Sequence, residues 1–342
     1  MNEIRDIIGT LDDSVTAAAL LIDSASARKL LEYFPEKLVH SRQRISIKRA
    51  PVRNIQILLS LHLTQADMDS TPVTKSILYG NDYKTHFDAK FYLNTYHSEV
   101  QPFSSKLLQM VHELVATAQI PSGGRLLNVG CGPSIYAVIS PGSRCSEIVF
   151  SDFAPQNVDE VRKWANNDPD AHDWRPYFEH VCQLEGRRDE WEARQDHIRQ
   201  ATKHVVSCDV HQENPLAPLV FEPFDVIVSS LCLESACLDE TSFRSAVKNV
   251  VSLLKPGGLF FLDGLQEKTS YEVGNMNFHK LPINNKIIKS AFKAADLTNL
   301  RWSKDNKHGT DNNANTGQRA ADFGLFAVRA TKVPRYNIVE DF

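Results

Sequence analysis

Apolar positions in this chain gather into short continuous runs, and all but one of the five empty into a glycine or an acid. They are Leu126-Leu-Asn-Val-Gly130, Glu147-Ile-Val-Phe-Ser-Asp152, His204-Val-Val-Ser-Cys-Asp-Val210, Phe224-Asp-Val-Ile-Val-Ser-Ser-Leu231 and Leu253-Leu-Lys-Pro-Gly-Gly-Leu-Phe-Phe-Leu-Asp263. Runs of this length, apolar on both faces, predict buried strands of a parallel sheet. Between and around them, apolar residues recur at helical spacing over 103–118, 158–164, 191–203, 241–254 and 283–295. Two last strands are expected on either side of an Asn-rich mobile loop at 304–316, the second over 323–330. Strands alternating with helices predict an α/β fold, a doubly wound and mostly parallel seven-stranded sheet.

The beginning of the chain has a different texture. Asp12, Asp13 and Ser14 can cap a helix that Pro35 ends, with apolar positions at helical spacing between them. No acid occurs between Glu36 and Asp67, while Lys37, Arg42, Arg44, Lys48, Arg49 and Arg53 do, which is read as a solvated basic face. An apolar segment over 55–63 follows. We therefore divide the chain into a helical N-terminal extension over 1–80, a main domain over 81–332 and a tail over 333–342. The main domain opens on a cluster of aromatics, Tyr83, Phe87, Phe91, Tyr92 and Tyr96. Core and ligand lid are both open readings of that cluster.

Composition narrows the choice. The 342 residues are 42% hydrophobic, enough for a sizeable core, and the net charge of −4 argues against a whole-protein binder of nucleic acid or membrane surface. Six cysteines form no Cys-x-x-Cys pair and no zinc-like array, so buried reduced thiols are expected, with no metal. That fits a cytoplasmic compartment. No apolar run approaches the ~18 residues of a membrane span. A monomer is expected, with the extension available for self-association.

The candidate chemistry lies at the ends of the strands. Gly130 and Gly132 allow a sharp turn and a close backbone approach to a ligand. Asp152 follows about twenty residues later, where a strand-end carboxylate accepts ribose hydroxyls. Asp209, with the Val210 amide beside it, suits an adenine amine. With Ser230, these positions would open onto one crevice at the carboxyl edge of the sheet. Ile135 stands where a dinucleotide turn has its third glycine, and no Gly-Lys-Ser/Thr serves a triphosphate. An adenosine ligand without phosphates points to S-adenosylmethionine.

Taken together, Gly130-Cys-Gly-Pro-Ser-Ile-Tyr136, Ser151-Asp-Phe-Ala-Pro-Gln-Asn157, Asp173-Trp174, Cys182-Gln-Leu-Glu-Gly186, Cys208-Asp-Val210, Ser230-Leu-Cys-Leu-Glu234 and the Leu-Leu-Lys-Pro-Gly-Gly turn resemble the class I (Rossmann-like) S-adenosylmethionine-dependent methyltransferases. More narrowly, they resemble the small-molecule amine N-methyltransferases that act on nicotinamide, phenylethanolamine and indolethylamine. The resemblance runs from about Tyr83 to Lys332. It implies cofactor contacts at Tyr92, Gly130, Tyr136, Asp152, Phe153, Asn157, Asp209, Val210 and Ser230, with His97 where the family has a tyrosine. On the acceptor side it implies Tyr96 and Tyr271 around an aromatic ring, and Glu234, Asp263 and Glu267 as candidate acids.

The acceptor is left between two kinds. Methyl transfer from a sulfonium is an in-line displacement with a neutral leaving group, so the protein mainly supplies proximity and alignment. A pyridine nitrogen such as that of nicotinamide needs no base. A primary amine is mostly protonated and needs a carboxylate to hold it and to take a proton. Asp263 matches the acid that holds the carboxamide in the nicotinamide enzyme, while Glu234 and Glu267 match the glutamates of the phenylethanolamine enzyme. The serine used on the carboxamide falls at about His279 or Lys280. The first expectation is N-methylation of nicotinamide or a related pyridine, and the second is N-methylation of a primary aryl-alkylamine. A non-catalytic metabolite binder on the same fold is the third, and an NAD-linked oxidoreductase fits Ile135 poorly.

Overall fold

The computed structural model describes residues 76–303 and 324–334. The expected N-terminal helix, the basic stretch, the apolar segment over 55–63, the Asn-rich loop over 304–316 and most of the tail lie outside the described residues. The chain enters with β1 (Ile77–Leu78), α1 (Asp82–His86), α2 (Ala89–Tyr96) and α3 (Pro102–Ala116). Next come β2 (Gly124–Val129), β3 (Cys145–Asp152), α4 (Pro155–Ala165), α5 (Arg175–Leu184), α6 (Trp191–Ala201) and β4 (Thr202–Ser207). It continues through β5 (Phe224–Ser230), α7 (Leu233–Ala236), α8 (Glu240–Ser252) and β6 (Leu254–Leu265). The last elements are β7 (Ser270–Val273), β8 (Met276–His279), α9 (Asn285–Ala294), β9 (Leu297–Trp302) and β10 (Leu325–Lys332).

The main sheet has seven strands in the order β4-β3-β2-β5-β6-β10-β9. The first five run parallel, and β10 lies antiparallel between β6 and β9. Beginning at β2 the chain winds outward through β3 and β4, then crosses back to β5 and winds the other way. β2 and β5 therefore flank the point where the strand order reverses, and the crevice beyond their carboxyl ends is where such sheets bind ligands. Helices cover both faces. One core layer joins Leu126, Ile148, Phe150 and Val226 to Met110, Trp164 and Phe178, and the other joins Leu127, Val149, Ile227 and Phe260 to Phe243, Val247 and Phe292.

Local chemistry sets the helix starts. Asp239 caps α8 in a reciprocal box with Ser242, whose amide donates to the Asp239 carboxylate at 2.7 Å. Asn284 caps α9 through the Lys286 and Ile287 amides. Pro102 and Pro155 open α3 and α4 at the position where a missing N–H costs nothing.

Three features differ from the sequence reading. The polar stretch after Pro155 holds three helices instead of two, because α5 buries Tyr177, Phe178, Val181 and Cys182 on one face amid charged neighbours. β4 ends at Ser207, so Asp209 sits in the following turn, where its amide donates to the Pro215 carbonyl. A second sheet, in the order β1-β8-β7, was not foreseen. Its β7–β8 hairpin turns at Gly274-Asn275, with Gly274 at φ +62.

Candidate active site

The glycine turn is shaped by what stands next to it. Gly130 has φ +64, and a Cβ there would lie 1.9 Å from Cys232 Sγ, so only glycine fits. Gly132 has φ +61 and nothing within 4 Å of its ideal Cβ, because that side faces open space. The turn is latched to the next strand: Asp152 Oδ2 accepts a hydrogen bond from the Gly132 amide at 2.7 Å. Asp152 Oδ1 accepts from the Ala154 amide at 2.9 Å and from Asn157 Nδ2 at 3.0 Å. Burial pushes the Asp152 carboxyl up from its ordinary range, and these hydrogen bonds oppose the shift.

A cavity of about 400 Å³ opens against this turn. Its walls include Gly130, Gly132, Tyr136, Asp152, Phe153, Asn157, Asp209, Val210 and Ser230 on one side, and Tyr92, Tyr96, His97 and Tyr271 elsewhere. Ten cofactor positions and two acceptor positions named from sequence thus share one cavity. The three candidate acids do not. Glu234 is fully buried behind the wall, where Oε1 accepts from Lys280 Nζ at 2.8 Å. Asp263 is 2% exposed and accepts from Ser230 Oγ at 2.5 Å. Glu267 is exposed on the turn after β6, with φ +60 and its amide on the Ile283 carbonyl. Glu267 is therefore corrected from a cavity acid to a loop acid.

A relay runs inward from the cavity. Tyr136 Oη meets Ser230 Oγ at 3.0 Å, and Ser230 passes on to Asp263. Desolvation lifts the Asp263 carboxyl to about 7, the Ser230 bond opposes it, and Glu234 adds to it. His97 is 4% exposed, with Nδ1 2.8 Å from Tyr177 Oη and its ring stacked on Tyr136 at 5.3 Å. Burial and the nearby His172 hold its pKa down to about 3, so the imidazole is neutral at physiological pH. Its Nε2 has no hydrogen-bond partner among the described residues.

The aromatic cluster serves both roles that the sequence left open. Phe87 packs with Ala89, Val273 and Phe278 as core, while Tyr83, Phe87, Tyr92 and Tyr96 also line the cavity. Phe91 points away and is exposed. Tyr83 Oη meets Tyr271 Oη at 2.9 Å, and Tyr96 Oη donates to the Glu272 carbonyl at 2.8 Å. These bonds tie α1 and α2 to the small sheet across the mouth of the cavity. Tyr83 and Lys280 are among the lining residues absent from the sequence list of site residues. Tyr83 was signalled by aromatic density. Lys280 entered the sequence reading only as a position facing the family's carboxamide serine, and its burial had no local signal, since a lysine after a short polar strand is ordinarily a surface residue.

The cavity fits S-adenosylmethionine on structural grounds. Its volume is within the ~300–1,000 Å³ range of small-molecule sites. The open side of Gly132 is a cradle that any side chain would fill, Asp152 presents a buried carboxylate, and His97 Nε2 is a polar atom awaiting a partner. All six cysteines are free thiols, five of them buried, and three (Cys131, Cys208 and Cys232) border the cavity. No helix among the described residues is long and apolar enough to cross a membrane.

Comparison with known proteins places the chain in a family. Residues 75–333 match the NNMT/PNMT/TEMT family. Nicotinamide N-methyltransferase of Homo sapiens is 32% identical over 259 residues, covering 74% of this chain and 96% of that one. Indolethylamine N-methyltransferase of Oryctolagus cuniculus is 32% identical, covering 66% and 88%. Phenylethanolamine N-methyltransferase of Bos taurus is 33% identical, covering 54% and 65%. The chain belongs to the NNMT/PNMT/TEMT family of S-adenosylmethionine-dependent N-methyltransferases.

Proposed function

We propose that the protein methylates the ring nitrogen of nicotinamide or a related pyridine. One observation carries this choice: the only carboxylates among the described lining residues are Asp152 and Asp209, both on the adenosine side. The acids that could hold a protonated amine are engaged elsewhere or exposed. A neutral heteroaromatic nitrogen needs neither an anionic partner nor a base. The relatives named for nicotinamide point the same way.

When bound, S-adenosylmethionine supplies an electrophilic methyl on a sulfonium. The residues of this chain then bind and align. Asp152 keeps acceptor capacity for one ribose hydroxyl, since a carboxylate offers about four lone-pair sites and three are occupied here. Asp209 and the Val210 amide suit the adenine edge. In the tautomer whose Nδ1 accepts from Tyr177 Oη, His97 Nε2 carries the proton and can donate to the cofactor carboxylate. Tyr92, Tyr96 and Tyr271 present faces that favour a sulfonium and a developing pyridinium by cation–π attraction. The tyrosine walls exclude water and hold the acceptor nitrogen in line, which is the proximity the displacement requires. Free cysteines support a reducing compartment such as the cytoplasm.

Labelled-methyl transfer to nicotinamide, quinoline, phenylethanolamine and tryptamine tests the assignment. We expect product from the two heteroaromatics. Product from phenylethanolamine or tryptamine alone would replace the pyridine by a primary amine, and none from any, with cofactor still bound, would leave a non-catalytic binder.

A further inference from the structure

Tyr177 is fully buried on α5 and is not among the residues that line the cavity, yet it meets one that is. Its hydroxyl lies 2.8 Å from His97 Nδ1. The other acceptors around that hydroxyl are further away, Ser104 Oγ at 3.3 Å and the Tyr96 and Glu99 carbonyls at 3.4 Å each. Ser104 Oγ donates its own proton to the Gln101 carbonyl at 3.1 Å, so it can offer Tyr177 only a lone pair. The His97 ring is boxed by aromatics, with the ring centroids of Tyr92, Tyr136, Trp174 and Tyr177 5.3 to 5.5 Å away. None of them forms a hydrogen bond with Nε2, although His97, Tyr92 and Tyr136 all line the cavity.

A neutral imidazole carries one proton, and its two nitrogens compete for it. If Nδ1 held the proton, it would donate to Tyr177 Oη. The phenol proton would then go to an acceptor at 3.3 Å or more, and Nε2 would present a bare lone pair to any anion. If instead the phenol donates to Nδ1, it makes the one short bond open to it, and the imidazole proton sits on Nε2. A hydroxyl outside the cavity therefore decides whether a nitrogen of a lining residue is a donor or an acceptor.

We propose that Tyr177 is a positioning residue of the cofactor site: by donating to His97 Nδ1, it holds the imidazole in the tautomer that donates from Nε2 to the cofactor carboxylate. The proposal rests on the cofactor contact assigned to His97 above and is independent of which acceptor is methylated.

The test uses the full chain. In protein labelled with heavy nitrogen at histidine, nuclear magnetic resonance reports the tautomer of His97, whose signals are identified by their loss in His97→Gln. The wild type bound to S-adenosylhomocysteine should show a protonated Nε2 and a bare Nδ1, and a protonated Nδ1 overturns the proposal. Calorimetry then compares S-adenosylhomocysteine with its decarboxylated analogue, which lacks the anion. Tyr177→Phe should lower the preference for S-adenosylhomocysteine about tenfold, the effect of one charge-assisted hydrogen bond, and leave affinity for the analogue within ~3-fold. The amide of His97→Gln donates whatever its neighbours, so adding Tyr177→Phe to it should change the preference by less than ~3-fold. An unchanged preference in folded Tyr177→Phe, or an equal loss in the His97→Gln background, overturns the role of Tyr177 and leaves donation by His97 standing. A wild type that binds both compounds equally overturns the contact of His97 with the carboxylate, and the role of Tyr177 with it. If Tyr177→Phe fails to fold, the tautomer of the wild type decides.

Discussion

The Gly132 amide donates to Asp152 Oδ2 at 2.7 Å, so the loop after β2 and the end of β3 are one rigid corner. Asp152→Ala removes the shared acceptor of Gly132, Ala154 and Asn157, each lost bond costing ~1–3 kcal/mol without strict additivity. We expect a folded protein of lower Tm with no measurable cofactor binding by calorimetry. Unchanged cofactor affinity would falsify the assignment of the corner to the ribose.

Gly130→Ala puts a methyl group 1.9 Å from Cys232 Sγ at a backbone position of φ +64. Overpacking costs ~1–3 kcal/mol and the left-handed conformation ~1–2 kcal/mol more. Adding Cys232→Gly should recover the overpacking part and leave the backbone part, which paired denaturant titrations separate.

Asp263 carries a pH signature. Its native pKa of about 7 is raised from 3.8, so its contribution to stability is full below about pH 4 and is lost as pH rises through about 7. Asp263→Asn should flatten that decline in Tm over the same window. An unchanged slope would remove Asp263 as its source.

His97 works in the opposite sense. Its native pKa of about 3 is depressed from 6.5, so its contribution is full above about pH 6.5 and is lost as pH falls toward about 3. His97→Gln should flatten the acid limb of stability measured by urea midpoints. If Nε2 donates to the cofactor carboxylate, His97→Phe should also weaken cofactor binding about tenfold.

Tyr271 tests the acceptor wall. Tyr271→Phe keeps the ring and loses only the bond to Tyr83, so acceptor KM should shift less than about threefold. Tyr271→Ala removes the ring and should raise acceptor KM about tenfold or more, with cofactor affinity nearly unchanged. Equal losses in both constants would place Tyr271 in general packing.

How far the molecule can be read from its sequence depends on how local the signal is. Leu126 to Val129 followed by Gly130 and Gly132 encodes its strand and turn in neighbouring residues, and Asp152 ends its own apolar run. The acceptor side is assembled from a distance. Glu234 and Lys280 are 46 residues apart and meet because the segment after β8 hydrogen-bonds to α7, the Leu281 amide donating to the Glu234 carbonyl. Tyr83 and Tyr271 are 188 apart. The Gly274-Asn275 hairpin did carry a local turn signal, but its four-residue strands are too short for periodicity to declare them. Likewise α5 is hidden because its apolar face is narrow and its neighbours are charged.

The two halves of the cavity rest on separate sheets. The glycine turn, Asp152 and Ser230 belong to the large sheet, whereas Tyr271 and Lys280 belong to the small one or its border. On the proposed assignment, such a division makes the acceptor side an exchangeable module. Descendants of one ancestral methyl donor site can acquire new acceptors by rewriting a hairpin, while the part that recognises the donor stays under its own constraints. Swapping the stretch from Thr269 to Pro282 between relatives should therefore carry acceptor preference with it and leave the donor site intact.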